Sequence, residues 1–117
     1  MHELALSGAI VNTAVKHARG RPVSAIHLRV GVLRQVVPDT LAFYFAFVAR
    51  GTLCEGATLD QERIGARLGC RGCAATWGIE IPAFRCPHCG GSEVEILTGQ
   101  EFEVESIEVE EETACIA

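Results

Sequence analysis

Four of the six cysteines fall within one short stretch, "CRGCAATWGIEIPAFRCPHCGG". Two residues separate Cys70 from Cys73, twelve separate Cys73 from Cys86, and two separate Cys86 from Cys89. Each C-x-x-C turn aims two sulfurs at one point, and a hairpin between the turns brings the pairs together. Four thiolates, each about 2.3 Å from one ion, suit tetrahedral zinc, whose filled d shell imposes no other geometry. The linker is shorter than the roughly fifteen to twenty residues usual in such patterns, yet long enough for two short strands. Gly72, Gly90 and Gly91 stand at knuckle positions where a positive φ is expected. The stretch also dictates how the segment can fold. Residues 66–92 hold few large apolar side chains (Leu68, Trp77, Ile79, Ile81 and Phe84), too few for an independent core. Metal binding, worth on the order of 10 kcal/mol, is expected to supply the folding free energy instead. With sulfur in all four positions no place is left for an activated water, so the ion is structural rather than catalytic. A redox dithiol explains one C-x-x-C but explains two at this spacing poorly. Iron in a rubredoxin-like knuckle stays open, because "CPHCG" suits it as well. His88, lying between two thiolates, is read as an exposed knuckle residue.

At 117 residues the chain is one domain, or a small domain carrying a smaller module. Its longest apolar run, Leu41 to Ala49, is too short for a membrane span. Acidic Glu3 stands where a signal peptide would be basic, so the expectation is a cytoplasmic protein. A reducing cytosol disfavours disulfides, which leaves metal as the explanation for the clustered thiols. Charge is uneven. Residues 1–65 hold seven Lys/Arg and five Asp/Glu, residues 66–92 three and one, and residues 93–117 none and nine. No basic stripe is present to neutralise a phosphate backbone, which weakens any nucleic-acid reading. A zinc ribbon contacting nucleic acid would have to rely on Arg67, Arg71 and Arg85.

The remaining segments read as alternating helices and strands. Leu4, Ile10, Val11, Ala14, Val15 and Ala18 share one helical face, and the helix stops at Gly20 before Pro22. "SAIHLRVGVLRQV" alternates with Ile26, Leu28, Val30 and Val32 on one face, predicting a strand buried on one side. "PDTLAFYFAFVARG" predicts a second helix, capped by Asp39 or Thr40, with Phe43, Tyr44, Phe45 and Phe47 packed into the core. A strand follows over 57–64. "GQEFEVESIEVEEE" alternates but changes phase between Val104 and Ile107, predicting a strand bulged near Glu105–Ser106, with a frayed end over 111–117. His17 and His27 read as ordinary surface residues. Cys54 reads as a small buried hydrophobe and Cys115 as a free thiol without a task. The fold class is α+β: a small mixed sheet of about three strands with two helices, plus an inserted zinc-ribbon module. The expected division is 1–65 with 98–112 for the α/β part and 66–97 for the ribbon.

The chain opens "MHEL", which places a histidine beside its own free amine. The amine of Met1, the amide nitrogen and imidazole Nδ1 of His2, and the amide nitrogen of Glu3 can close adjacent chelate rings with four nitrogens in a plane. Ni(II) and Cu(II) favour that arrangement and zinc does not. The bulky second residue should leave Met1 in place. On these residues alone, a histidine at position two is more often without a metal.

Taken with "RVGVL", "RGTLCEGATL", the paired cysteines with "CPHCG" and "ILTGQEFEVESIEVE", this opening resembles the nickel metallochaperones of hydrogenase maturation, the HypA/HybF family, over nearly the full length. Ala5 stands where many members have serine, and the ribbon linker is somewhat short; neither removes a ligand. The resemblance implies a non-enzymatic carrier of transient Ni(II) with a structural zinc ion. It implies His2 as the essential nickel ligand, assisted by the Met1 amine and by the Glu3 backbone or carboxylate, with Asp39 near the site. Cys70, Cys73, Cys86 and Cys89 would hold the zinc. The implied partners are the large subunit of a [NiFe] hydrogenase and a maturation GTPase, with a homodimer left open and no nucleic acid or membrane.

Overall fold

A computed structural model describes residues 2–81, 83–110 and 113–116. It divides into two compact units, one of residues 1–29, 36–62 and 103–117, the other of residues 30–35 and 63–102.

The first unit is two helices over a sheet. Helix α1 spans Glu3–Ala18, strand β1 Val23–Gly31, helix α2 Pro38–Val48, strand β2 Thr58–Ile64 and strand β6 Phe102–Val109. A last strand, β7, spans Thr113–Cys115, and the sheet order is β2-β1-β6-β7. His27 bonds Asp60 and Arg29 approaches Glu62, so the partners advance together and β1 runs parallel to β2. Toward β6 they retreat, from Glu108 opposite His27 to Glu105 and Glu103 opposite Arg29, so that pair is antiparallel. The sheet is mixed. Ile26 and Leu28 of β1 are buried with Ile10, Val11 and Ala14 of α1, Leu41 and Phe45 of α2, and Ile107 and Val109 of β6. That is the one-sided burial that strict alternation produces.

Helix α2 differs from its sequence pattern at both ends of the reading. It begins at Pro38 with Val37 as N-cap and no side-chain cap, so neither Asp39 nor Thr40 caps it. Proline suits the first turn because it has no N–H to leave unpaired. Of the four aromatics only Phe45 is buried; Phe43 and Phe47 are 70% and 60% exposed. Four bulky rings at nearly consecutive positions point all round a helix, and one face alone meets the core.

The second unit contains strand β3 (Ala66–Cys70), strand β4 (Thr76–Ile79) and strand β5 (Val94–Thr98) in the order β4-β3-β5. Both pairings are antiparallel, Leu68 facing Trp77 on one side and Ile96 on the other. Among the described residues, β4 is the one strand between the two cysteine pairs, where the linker is long enough for two. Of the five large apolar groups, Leu68 alone is fully buried, while Ile81 and Phe84 are exposed. The segment 30–35 joins this unit because β1 ends at Gly31 and turns into a 3-10 turn, Val32–Arg34, rather than continuing to Val36. Gly31 N–H donates to Glu101 O and Leu33 N–H to Gly99 O, at 2.6 and 2.8 Å.

The expected fraying over 111–117 is overturned at Thr113–Cys115, which pair with Ser106, Ile107 and Glu108; residues 111, 112 and 117 lie outside the described residues. The glutamates of β6 that meet β1 differ in parity along the strand. His27 and Arg29 share one face of β1, yet their partners on β6 switch from even Glu108 to odd Glu105 and Glu103.

Candidate metal centre

In the second unit, Cys70 closes β3 and Cys73 follows in the turn to β4, while Cys86 and Cys89 sit in the loop before β5. The two knuckles are built alike. Ala74 N–H donates to Cys70 O and Gly90 N–H to Cys86 O, both at 2.9 Å. Cys70 N–H donates to Ala75 O and Cys86 N–H to Gly91 O, at 2.8 and 2.9 Å. The residue that turns each knuckle is at positive φ, Gly90 at 72° and Ala74 at 64°. Gly72 and Gly91 are not, which corrects the expectation at those two positions.

The four Sγ atoms lie within 4.8 Å of one another, with Cys70–Cys89 at 3.7 Å and Cys73–Cys86 at 3.5 Å. A tetrahedron with bonds of about 2.3 Å has edges of about 3.8 Å, so a zinc-sized ion fits this sulfur cage. Cys70 and Cys86 are buried, Cys73 and Cys89 exposed, leaving the cage open on one side. Burial opposes charge on Cys86, but the N–H groups of Cys89 and His88 and the thiols of Cys73 and Cys89 outweigh it and lower its pKa to about 6. The Ala75 N–H favours the Cys73 thiolate, but Cys86 and burial prevail and raise that thiol to about 12. Closing the cage about a metal ion would release the protons of the thiols. His88 is exposed, as its knuckle position predicts. Each of the three ribbon arginines has a neighbour within the unit: Arg67 with Thr76, Arg71 with Glu95, Arg85 with Gly90 O.

In the first unit, His2 and Glu3 stand at the start of α1 and Asp39 in the first turn of α2. His2 is the N-cap of α1 and is exposed, with no side-chain cap. Met1 lies outside the described residues. Glu3 is buried to 5% exposure, and its carboxylate accepts the Val37 N–H at 3.2 Å. Hydrogen bonding to the amino terminus first, then the Val37 N–H and the residue's own N–H, hold that carboxyl at about 2, against an opposing effect of burial. Ser7, fully buried, donates to Glu3 O at 2.6 Å and lies 3.4 Å from Leu41 O. The two helices are thereby tied at their first turns. Asp39 stands exposed in the first turn of α2, two residues beyond Val37.

Three groups escaped the sequence reading. His27 lies between two carboxylates, its Nδ1 3.0 Å from Asp60 and its Nε2 2.7 Å from Glu108. Gln61 Nε2 donates to Pro38 O at 3.0 Å. Arg29 gathers Glu103, Glu62 and Glu105. None has a local sequence signature, because each pairs across strands or elements far apart in the chain. Cys54, fully buried, has its thiol pushed up by that burial, in keeping with a small core residue. Among the described residues no helix is long and apolar enough to cross a membrane, and the four cysteines form the one cluster able to hold an ion.

A two-helix mixed-sheet unit joined to a four-thiolate ribbon defines an α+β metal-binding protein. The sequence model of the family described as "Hydrogenase/urease nickel incorporation, metallochaperone, hypA" matches residues 1–109, and the chain belongs to that family. Its members are carriers of metal and not enzymes. The chain is 39% identical over 110 residues to a hydrogenase maturation factor HypA of Geotalea uraniireducens, covering 94% of this chain and all of the relative. It is 35% identical over 116 residues to the Streptomyces avermitilis protein of the same name, covering 95% of this chain and 88% of that one. In fold it is similar to the solution structure of the nickel metallochaperone HypA from Helicobacter pylori, with TM-score 0.68, 20% identity, and 93% and 97% of the two chains covered.

Proposed function

We propose that this chain carries Ni(II) at its amino terminus, in the cytoplasm, and hands it to the large subunit of a [NiFe] hydrogenase together with a maturation GTPase. In this reading residues 1–65 with 98–112 form the nickel-binding part and residues 66–97 the zinc ribbon. The Met1 amine, the His2 amide and imidazole, and the Glu3 amide are the ligands, with Asp39 beside them. Cys70, Cys73, Cys86 and Cys89 hold a zinc ion that supplies folding free energy to a unit with almost no core.

One observation carries the nickel assignment. Helix α1 begins at Glu3, and its first intrahelical bond runs from Leu6 N–H to His2 O at 2.8 Å. The N–H groups of the first turn have no partner within the helix. The amides of His2 and Glu3 precede that first bond, so replacing their protons with a metal, the protons passing to water, breaks none of the backbone bonds that run along the helix. Elsewhere in a helix the same ligation would cost a hydrogen bond per nitrogen. His2 is exposed, which suits a site that must let its cargo go. Cu(II) outranks Ni(II) for nitrogen ligands, so selectivity lies with metal supply and the docked partner.

Titrating Ni(II) into the native-start protein, His2→Ala and a version extended by one residue at the amino terminus tests this. Tight binding with a diamagnetic planar spectrum is expected in the first alone. Equal binding in all three dismisses the reading.

A further inference from the structure

Gln61 is a polar residue in a place that ordinarily takes an apolar one. Its neighbours Asp60 and Glu62 point to the charged face of the sheet, toward His27 and Arg29. Alternation turns Gln61 to the opposite face, which the helices cover, and it is half-buried there. Burying an amide is unfavourable unless it is hydrogen-bonded, and Gln61 uses its Nε2 on a single atom, the carbonyl oxygen of Pro38, at 3.0 Å.

Pro38 opens α2, whose N-cap Val37 offers no side-chain cap. The start of this helix is held from outside instead. Glu3, at the head of α1, binds the Val37 N–H with its carboxylate, and Gln61, on β2, binds the next residue's carbonyl. Glu3 is thus both the anchor on α2 and the residue whose amide nitrogen completes the nickel chelate.

We infer that Gln61 is a positioning residue for the terminal nickel chelate, acting through Pro38 and Val37 on Glu3; this rests on the nickel reading above. Holding Pro38 in place keeps the Val37 N–H aimed at the Glu3 carboxylate, and this fixes the first turn of α1 relative to α2. A planar four-nitrogen chelate needs its donors coplanar, so a loosened first turn weakens capture and lets water enter the metal's sphere. Outer partners of metal ligands act by orienting them. Gln61 sits further out than such partners usually do. The expected effect is roughly threefold to tenfold, the size of one lost net hydrogen bond.

The test uses native-start full-length protein with its zinc in place: wild type, Gln61→Met, Gln61→Glu and His2→Ala. Met keeps the volume without the donor, and Glu keeps the shape, removes the donor and adds a charge that attracts a cation. Each is measured for zinc content, melting temperature, Ni(II) affinity, the planar nickel absorption band, and hydrogen exchange at the Val37 amide. Expected are unchanged zinc, faster Val37 exchange, and weaker nickel with a diminished planar band in both Gln61 variants. Unchanged affinity and band in folded Gln61 variants, while His2→Ala loses nickel, overturns the positioning role and leaves the nickel reading standing. Weaker binding in Met with tighter binding in Glu also overturns it, because bare charge would then explain the site. If His2→Ala binds as wild type does, the nickel reading fails and the role of Gln61 fails with it. Should Gln61→Met not fold, Gln61→Glu and the exchange rate at Val37 decide.

Discussion

Ala74 occupies in the first knuckle the place that Gly90 occupies in the second, and it does so at φ 64°. A side chain in the left-handed region costs roughly 1–2 kcal/mol, which glycine avoids. Ala74→Gly should therefore stabilise the ribbon by about 1 kcal/mol, less the entropy that glycine loses on folding. Competition for the bound metal against a chromogenic chelator checks this, with the variant expected to release it more slowly. His27 makes a second argument at this scale. A neutral imidazole has one N–H, yet both ring nitrogens face carboxylates, Asp60 and Glu108. Only the protonated ring satisfies both, and its pKa is raised above the ordinary 6.5 by Asp60 first and Glu108 next, against a smaller opposing effect of burial. A raised pKa stabilises the fold fully below the unfolded value and is lost as pH rises through the folded value. The side chain is one-third exposed, so the effect is modest. Urea denaturation should give lower stability at pH 8.5 than at pH 6, with that difference reduced in His27→Gln. A His27 NMR titration midpoint at or below 6.5 would contradict it.

Two elements cross most tightly at Gly31 and Gly99. A Cβ built on Gly31 would overlap the Gly99 carbonyl, and one on Gly99, at φ 113°, would lie 2.8 Å from Ala66. The atoms in the way are backbone, which cannot swing aside as a side chain can. Gly31→Ala should accordingly cost more than the roughly 1–3 kcal/mol typical of overpacking. Loss of amide protection across Val94–Thr98 would report it, whereas a variant as protected as wild type would show that the crossing can open. Elements also show where pattern reading stops. The sequence strand through Val36 is cut at Gly31 by this crossing, which no periodicity in 24–36 records. The helix over "PDTLAFYFAFV" is legible, but its start is not. Asp39 is the obvious cap by composition, and the actual restraints on α2 come from Glu3 and Gln61, residues that lie 34 and 23 positions away from their partners.

At the scale of the whole molecule, the two proposed metal sites fall in different compact units and use different chemistry. Sulfur is proposed to hold one ion for structure, and backbone nitrogen the other for transport. Acetylating the terminal amine turns it into an amide and removes one nickel donor without touching any thiolate. Nickel uptake should then fall to background while one zinc per chain remains, measured by elemental analysis on the same sample. Undiminished uptake would refute the terminal chelate. Loss of both ions would mean that the two sites are not chemically separate.

The sequence by itself determined what depends on local spacing. The C-x-x-C pairs and their separation dictate a sulfur cage, because two residues are what a knuckle needs to aim two thiolates at one point. The 3.6 and 2.0 periodicities dictate two helices and one-sided strands, because burial of one face is a property of neighbours along the chain. The tertiary structure decided everything that depends on which distant groups meet. Only the parallel placement of β2 beside β1 brings Asp60 to His27, and only the packing of two helix starts turns Glu3 toward Val37. Hydrogen bonds of this kind are set by geometry across loops of many residues, and a linear pattern carries no record of that distance.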